Sequence, residues 1–232
     1  MNTNTTFDKW KPVGTLNRPF IGTFDGDGHT IRGLYVNVNE NYVGLFGCVG
    51  AGGTVKNVTI ADSYVSGKVN VGDICGRNDG GTVENCTSGK GTGNAVGGIC
   101  GSNQRSDHVG RVLNCHNTGK ASGKNRVGGV CGGGDDFTNC YYLDTSAETS
   151  KGGTAKTAAD FKSDYVAYLL QQALNDAAPG TTAAQVWGRR IGTEDYPVLS
   201  SDAAYTVYKP LKSVLGKHHP PKTITLTSRH AP

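Results

Sequence analysis

The sequence lacks any long apolar run. No stretch of its 232 residues approaches the roughly 18 consecutive apolar residues that a membrane-spanning helix requires. Residues 1–6, Met-Asn-Thr-Asn-Thr-Thr, also lack the apolar segment of a signal peptide. The sequence therefore predicts no helical insertion into a membrane. Two alternatives for location remain, a cytosolic protein and a fragment of a longer exported one.

Two short phrases repeat in step along the chain. The first phrase ends in glycine and occurs four times, as Gly44-Leu-Phe-Gly47, Asp73-Ile-Cys-Gly76, Gly98-Ile-Cys-Gly101 and Gly129-Val-Cys-Gly132. The second phrase is centred on a repeated asparagine and keeps nearly the same spacing, at Asn57, Asn85, Asn114 and Asn139. Such self-similarity indicates stacked units that share one core.

Each unit predicts short strands joined by glycine turns. A unit of roughly 25 to 30 residues suits one coil of a parallel β-solenoid, in which coils stack about 4.8 Å apart. Leucine-rich repeats have a similar period, but their Leu-x-x-Leu-x-Leu frame is missing. The 35 glycines and the hydrophobic content of 36% agree with a narrow core lined by few side chains per strand.

The alternation of apolar residues breaks at the repeated asparagine. Val55, Val58 and Ile60 point to the same side only if the backbone bends at Asn57. Asparagine tolerates the left-handed conformation that this bend requires. Stacking of the coils would then align the asparagine side chains in an amide ladder, formed by Asn57, Asn85, Asn114 and Asn139.

Several ordered motifs resemble GLUG-motif proteins. The matching stretches are residues 10–14, 19–35, 43–47 and 139–144, and the resemblance covers about residues 10 to 199. GLUG-motif repeats form β-helical regions of large bacterial surface proteins, among them Gram-positive adhesins and the non-catalytic part of IgA-cleaving metalloproteases. The resemblance implies an all-β, right-handed parallel β-helix in a fragment of a multidomain, exported, cell-surface protein. It implies no shared activity.

Composition divides the chain into three parts. We predict a β-helix of GLUG-type repeats over residues 1–149, a helix-containing cap over residues 150–199 and a basic linker or tail over residues 200–232. Because the end of a solenoid exposes unpaired strand edges, we expect the cap to cover the last coil. An independent helical domain is the alternative, although one helix is too small to bury a core of its own.

The start of the cap predicts a helix. Thr157 and Asp160 have the spacing of a capping box. The predicted apolar face of the helix consists of Phe161, Tyr165, Tyr168 and Leu169.

The excess positive charge lies in the tail. Residues 1–208 carry 18 basic and 19 acidic side chains, whereas residues 209–232 carry five basic and no acidic ones. Basic tails can bind nucleic acid or anionic membranes. Five charges spread thinly over a segment that includes prolines are more typical of a solvated linker. We therefore predict no nucleic-acid binding.

The cysteines define two further columns. Cys75, Cys100 and Cys131 share one position of the first phrase, and the face of this column is undecided because Leu45 and Phe46 are both apolar. The second column consists of Cys86, Cys115 and Cys140. It aligns with Val58, which predicts burial inside the coil.

We expect the cysteines to be stacked free thiols. Side chains of neighbouring parallel coils run alongside one another, which disfavours disulfides. No Cys-x-x-Cys pair or Cys/His zinc spacing occurs, which disfavours a metal. Because seven cysteines are an odd number, at least one thiol, such as Cys48, stays unpaired within the chain. Disulfides and metal binding remain the alternatives.

Acidic residues offer few candidates for catalysis. Many polysaccharide lyases and glycoside hydrolases are right-handed β-helices, and they need clustered acids, or acids and a basic residue around calcium. The candidates are Asp25, Asp27, His29, Asp135 and Asp136. No group of acids recurs at one position of successive units. Only Asp25 and Asp27 suggest calcium, and the terminal glutamate of a calcium loop is missing. We predict no catalytic residue, metal or cofactor.

Few residues that could bind a ligand recur at one position of successive units. The tyrosines available for ligand binding are Tyr35, Tyr42, Tyr64, Tyr141 and Tyr142. Tyr42 and Tyr64 are not repeated at matching positions in our alignment of the units. Thr30, Thr54 and Thr82 line up, but this array stops at residues 110–111, and His116 is predicted to lie in a loop.

These observations predict a non-catalytic extracellular module of a bacterial surface protein. It would act as an adhesive surface for a host or matrix protein or a glycan, or as a stalk. The alternative is a carbohydrate-active enzyme, which would bring acids and a basic residue together in a groove.

Overall fold

The structure is a computed structural model. It describes residues 10–88, 91–93, 96–103, 110–148, 152–177, 184–190, 192–202, 205 and 207. The predicted basic tail lies almost entirely outside the described residues. None of the described helices is long and apolar enough to cross a membrane.

The described chain folds into a parallel β-solenoid of about four turns. In chain order the strands are β1 (Thr23–Asp25), β2 (Thr30–Arg32), β3 (Tyr35–Asn37), β4 (Asn41–Val43), β5 (Phe46–Gly50), β6 (Thr54–Ala61), β7 (Tyr64–Ser66), β8 (Val69–Val71), β9 (Cys75–Asp79), β10 (Thr82–Ser88), β11 (Gly91–Gly93), β12 (Val96–Gly97), β13 (Cys100–Ser102), β14 (Arg111–Leu113), β15 (His116–Asn117), β16 (Ala121–Gly123), β17 (Val127–Gly128), β18 (Phe137–Thr138), β19 (Tyr141–Leu143), β20 (Thr154–Lys156), β21 (Trp187–Gly188) and β22 (Val198–Leu199). Two helices, α1 (Ala158–Lys162) and α2 (Tyr165–Ala177), lie between β20 and β21.

The strands stack in four parallel sheets. The largest has nine strands in the order β1-β6-β10-β15-β19-β20, with β2 also paired to β6, and β14 paired to both β10 and β18. The others follow the orders β3-β7-β11-β16, β4-β8-β12-β17 and β5-β9-β13. Every strand pair within these four sheets is parallel, whereas β21 and β22 form a separate antiparallel pair. The predicted parallel β-helix with a small helical element is confirmed.

The core consists of apolar columns that run along the stack. In the third sheet the strand register aligns four buried valines, Val43, Val71, Val96 and Val127. Burial of a valine side chain contributes about 1.5 to 3 kcal/mol, so each column stabilises every coil that it crosses. The first phrase adds a column at the corner between the third and fourth sheets, formed by the buried residues Leu45, Ile74, Ile99 and Val130.

The closing glycine of the phrase belongs to this corner. A side chain at Gly76 would collide with the backbone of Tyr42 and Val43, and one at Gly101 would collide with the backbone of Asn70 and Val71. The recurring glycine therefore lets consecutive sheets approach closely.

The C-terminal part differs from the prediction in two ways. The capping box is present, since Thr157 Oγ1 accepts a hydrogen bond from the Asp160 N–H and the Asp160 carboxylate accepts one from the Thr157 N–H. Instead of one helix, however, two helices are separated by Ser163 and Asp164, and Asp164 has a φ of 64°. The second difference is that β20 pairs with β19, so the parallel sheet continues to Lys156.

The helices pack along the side of the solenoid. Gly152 and Gly153 lie against Cys131 and Cys140 at the end of the main core. A second core contains residues of the outer sheet face and of the C-terminal unit, namely Tyr141, Leu143, Phe161, Val166, Leu170, Trp187 and Leu199. We define residues 157–202 as the C-terminal unit. This unit covers the outer face of the nine-stranded sheet. The segment before it, at Gly152 and Gly153, crosses the end of the last coil.

Candidate functional site

The repeated asparagines occupy the bends of the coils. Their φ values are 54° at Asn57 and 50° at Asn85, Asn114 and Asn139, all in the left-handed region. Asn57 Nδ2 donates to Asp25 Oδ1 at 2.9 Å, and Asn85 Nδ2 donates to Asn57 Oδ1 at 3.0 Å. Asn85 Oδ1 is buried without a hydrogen-bond partner. Among the described residues, the amide ladder therefore runs from Asp25 to Asn85 and no further.

Asp25 is a structural acceptor at the start of this ladder. Its Oδ1 also accepts the backbone N–H of Asp27 at 3.0 Å, and its Oδ2 lies 3.3 Å from Lys56 Nζ. The hydrogen bond from Asp27, followed by the one from Asn57, lowers the pKa of Asp25. The Asp25 carboxylate is thus already paired with the ammonium group of Lys56. In the described part of the chain, no group of three His, Cys, Asp or Glu residues could hold a metal ion.

The other acidic candidates lie far from Asp25. Asp136 precedes β18, which is four strands away from β1 through β6, β10 and β14. At about 4.8 Å per strand, this separation is about 19 Å. Asp136 Oδ2 lies 3.9 Å from Arg111 Nε, while the Asp135 carbonyl accepts a hydrogen bond from Asn103. The structure thus does not bring Asp25, Asp27 and His29 together with Asp135 and Asp136.

The first cysteine column is buried inside the coils. Phe46, Cys75, Cys100 and Cys131 share one register, and each is at most 3% exposed. The Sγ atoms of Cys75 and Cys100 are 3.2 Å apart. Both this column and the neighbouring column of Leu45 face inward because the backbone turns a corner between them.

The three thiols of this column have different pKa values. Desolvation opposes ionisation of Cys100, but hydrogen bonds from Cys131 and Cys75 outweigh it and lower its pKa. The pKa of Cys75 is raised by its hydrogen bond to Cys100 and by burial, and that of Cys131 is raised mainly by burial. Within the Cys75–Cys100 pair, Cys75 is the hydrogen-bond donor and Cys100 is the acceptor.

The second cysteine column is also buried, and each of its three sulfurs donates to a backbone carbonyl group. Cys86 Sγ donates to Glu84 O at 3.2 Å, Cys115 Sγ to Leu113 O at 3.1 Å and Cys140 Sγ to Val112 O at 3.3 Å. None of the seven cysteines, all buried, forms a disulfide in this structure.

A second asparagine pair was missed by the sequence analysis. Asn78 and Asn103 are fully buried, and Asn78 Nδ2 donates to Asn103 Oδ1 at 2.9 Å. Asn103 Nδ2 donates in turn to Gly110 O at 2.8 Å. Both asparagines follow a column cysteine by three positions, so extending the first phrase to Cys-Gly-x-Asn could have found them.

His116 is a buried strand residue, and the loop prediction for it was wrong. It lies in β15 on the outer sheet face, in register with Thr87 and Tyr141. Its Nε2 lies 3.0 Å from Pro197 O and its Nδ1 lies 3.4 Å from Thr87 Oγ1. The rings of Phe161 and Trp187 contact the imidazole, and burial lowers its pKa to about 4.

Two exposed tyrosines form a stacked pair. Tyr35 and Tyr64 are register partners on β3 and β7, with ring centroids 5.6 Å apart and an interplanar angle of 21°. They are 38% and 44% exposed. The prediction that Tyr64 has no repeated counterpart was wrong, because it occupies the position of Tyr35 in the next coil. Tyr141 and Tyr142, in contrast, are buried.

The threonine alignment also needs correction. Thr54 and Thr82 align with Thr23, whereas Thr30 aligns with Thr59 in a separate column. The first column continues into Arg111, and the second continues through Thr87 into His116. Neither of these two threonine columns extends along the whole sheet.

The geometry defines a class, a β-solenoid whose repeated polar side chains mostly hold the coils together. No protein-family model and no solved structure matches the chain. It is 39% identical over 100 residues to halomucin of Haloquadratum walsbyi, which is 39% of this chain and 1% of halomucin. It is 35% identical over 75 residues to a protein of Evansella cellulosilytica named as a Gly-rich membrane protein, which is 31% of this chain and 9% of that protein. The chain thus spans only a small part of these relatives.

Proposed function

We propose that the chain is a non-catalytic module of a bacterial cell-surface protein and that it binds a ligand through an exposed face of the solenoid. The partial similarity to a protein named as a membrane protein, together with the parallel solenoid, is compatible with a surface module. The chain matches only a small part of each of these relatives, which supports a module within a larger exported chain. The sequence resemblance to GLUG-motif repeats supports the same location.

The observation that carries the binding role is the stacked pair of Tyr35 and Tyr64. Large aromatic side chains are usually covered in a soluble protein, and exposed ones frequently contribute most of the energy of an interface. Asn37 Nδ2, on the same strand as Tyr35, lies 3.4 Å from the Tyr35 hydroxyl. The face therefore offers aromatic surface beside hydrogen-bonding groups, the combination that a glycan or an extracellular protein surface can contact.

The register extends this face beyond the tyrosines. Asn37 aligns with Ser66, Ser66 with Thr92, and Thr92 with Ser122. Asn37 and Ser66 lie on the side of the sheet opposite to the buried Val36 and Val65. We define Tyr35, Tyr64, Asn37 and Ser66 as the tyrosine face.

A binding array tests this proposal. Purified protein is applied to immobilised glycans and extracellular matrix proteins, and the same samples are assayed for cleavage of acidic polysaccharides with and without calcium. We expect selective binding without turnover. The double variant Tyr35→Ala/Tyr64→Ala should lose at least tenfold in affinity, while Thr30→Ala, an exposed change on another sheet, should bind as the wild type does.

Two results would contradict the proposal. Cleavage of a polysaccharide would establish the enzyme alternative. Absence of binding to every immobilised ligand would favour a stalk, whose only requirement is a long, soluble and stiff solenoid.

A further inference from the structure

The first cysteine column holds two thiols at a distance suited to a redox reaction. Cys75 and Cys100 are register partners on the neighbouring strands β9 and β13. Neighbouring parallel strands lie about 4.8 Å apart, inside the range of Cα separations found in disulfides. Their Sγ atoms, 3.2 Å apart, need to approach by roughly 1.2 Å to reach the length of a disulfide bond.

The hydrogen bonds select this pair within the column. Cys75 Sγ donates to the sulfur of Cys100. Cys131 also faces Cys100, but its Sγ has a second acceptor in its own coil, Gly133 O, at 3.2 Å. Gly152 is also packed tightly against Cys131. Cys131 is therefore the more restrained neighbour of Cys100.

The second column provides a natural comparison. Its thiols are equally buried, but they donate to backbone oxygens at 3.1 to 3.3 Å. Forming a disulfide between Cys86 and Cys115 would break two such hydrogen bonds inside the core. A disulfide between Cys75 and Cys100 would break one, from Cys100 Sγ to Ser102 O at 3.0 Å, and would replace the existing sulfur–sulfur contact by a bond. The first column is therefore the more favourable place for a disulfide.

We propose that Cys75 and Cys100 are an oxidation site, at which a peroxide converts the stacked thiols into a disulfide between two neighbouring coils. The Cys100 thiolate attacks one oxygen of hydrogen peroxide, the O–O bond breaks, and the departing hydroxide takes up the thiol proton as water. Cys75 sulfur then attacks Cys100 Sγ, the S–O bond of the sulfenic acid breaks, and the hydroxyl group leaves with the Cys75 proton as a second water. The two sulfurs lose two electrons and the peroxide gains them.

The site does not depend on the proposed binding function. Both sulfurs are fully buried, so the reaction proceeds as fast as the coil opens or as the small peroxide enters the core. Once formed, the bond closes a loop of one coil and restricts the unfolded chain. The consequence is a solenoid whose resistance to unfolding increases under oxidising conditions.

Mass spectrometry and thiol counting test this proposal. Reduced, folded protein is incubated with hydrogen peroxide, quenched, denatured without reductant and reacted with a thiol reagent. We expect the count to fall from seven to five thiols, with one cross-linked peptide pair that contains Cys75 and Cys100, and the urea midpoint to rise. Cys86→Ala, at the equivalent place of the second column, should form the same cross-link, whereas Cys75→Ala should not.

Identification of the cross-linked peptides in the wild-type protein is sufficient to test the proposal, even if a variant fails to fold. Seven thiols after peroxide treatment would overturn the proposal. A Cys100–Cys131 bond, a bond within the second column, or sulfonic acid in place of a cross-link would equally contradict the assigned pair.

Discussion

At the residue scale, the left-handed asparagines are the most sequence-specific feature of the coil. A non-glycine residue in this region ordinarily costs about 1 to 2 kcal/mol, and asparagine lowers that cost by local hydrogen bonding. Asn57 is held on both sides, by Asp25 and by Asn85. The backbone conformation of Asn57 and its side-chain hydrogen bonds therefore make separable contributions to the stability of the protein.

Two substitutions of Asn57 separate these contributions. Asn57→Gly keeps the backbone free to adopt a φ of 54° and removes two side-chain hydrogen bonds, whereas Asn57→Val adds the strain of a β-branched residue. We expect urea unfolding to show that the valine variant is less stable than the glycine variant by about 1 to 2 kcal/mol. Equal losses in both variants would show that the left-handed conformation carries no cost at this position.

His116 predicts a loss of stability in acid. Its pKa is about 4 in the folded protein and near 6.5 when solvated, so the unfolded chain binds the proton more readily. Stability should therefore fall as the pH decreases from 6.5 to 4, by about 2 to 3 kcal/mol in total, and this contribution should level off below pH 4. The neighbours Thr87, Pro197, Phe161 and Trp187 carry no charge that could compensate.

Urea unfolding at pH 7 and pH 4.5, followed by the fluorescence of Trp10 and Trp187, measures this effect. His116→Gln should show a smaller difference between the two pH values than the wild type, because it has no imidazole to protonate. An identical difference in the two proteins would assign the acid sensitivity to other groups.

Asn57 and His116 also show what the sequence could and could not predict. The bend at Asn57 was predictable because it interrupts the apolar alternation of its immediate neighbours. The burial of His116 was not, because the groups that cover it come from Phe161, Trp187 and Pro197, all far later in the chain. The local alternation of apolar residues predicts the strands and bends of a coil. It does not indicate which distant segment packs against the outer face of that coil.

At the element scale, the C-terminal unit depends on a short helix. Helix α1 has only five residues, and its first turn is held by the reciprocal hydrogen bonds of Thr157 and Asp160. A helix of this length is not stable alone, so its start and its packing through Phe161 determine its position. The capping box was predictable from spacing, whereas the break at Asp164 was not. That residue's carboxylate pairs with the buried Arg189, which is distant in sequence.

Thr157→Ala should destabilise the C-terminal unit. Loss of an N-cap side chain costs about 1 kcal/mol, and here the Asp160 carboxylate also loses the hydrogen bond that it accepts from the Thr157 hydroxyl. We expect the transition in tryptophan fluorescence to move to lower urea concentration. Thr154→Ala, an exposed change on β20, is the control and should leave the transition within about 0.5 kcal/mol of the wild type. Equal shifts in the two variants would mean that the cap does not position the helix.

At the scale of the whole molecule, the coils have unequal support. Strands β6 and β10 have hydrogen-bonded neighbours on both sides, whereas β1, β2 and β3 each pair on one side among the described residues. The first coil also exposes apolar side chains, including Trp10 and Ile21. The C-terminal unit adds support to the nine-stranded sheet, since Leu199 reaches back as far as Gly28 and β22 contacts β6.

Hydrogen exchange should follow this gradient of support. In stacked repeats, each coil is stabilised by its own residues and by its two interfaces, so a coil with one interface opens more often. We expect peptides of β6 and β10 to exchange most slowly and those of β1 to β3 most rapidly. Val83→Ala, in β10 of the middle coils, should accelerate exchange in the coils on both sides, whereas Val36→Ala, equally buried in β3, should act mainly on the first coil. Uniform protection along the chain, with both variants accelerating exchange equally everywhere, would show instead that the solenoid and its C-terminal unit open as one cooperative body.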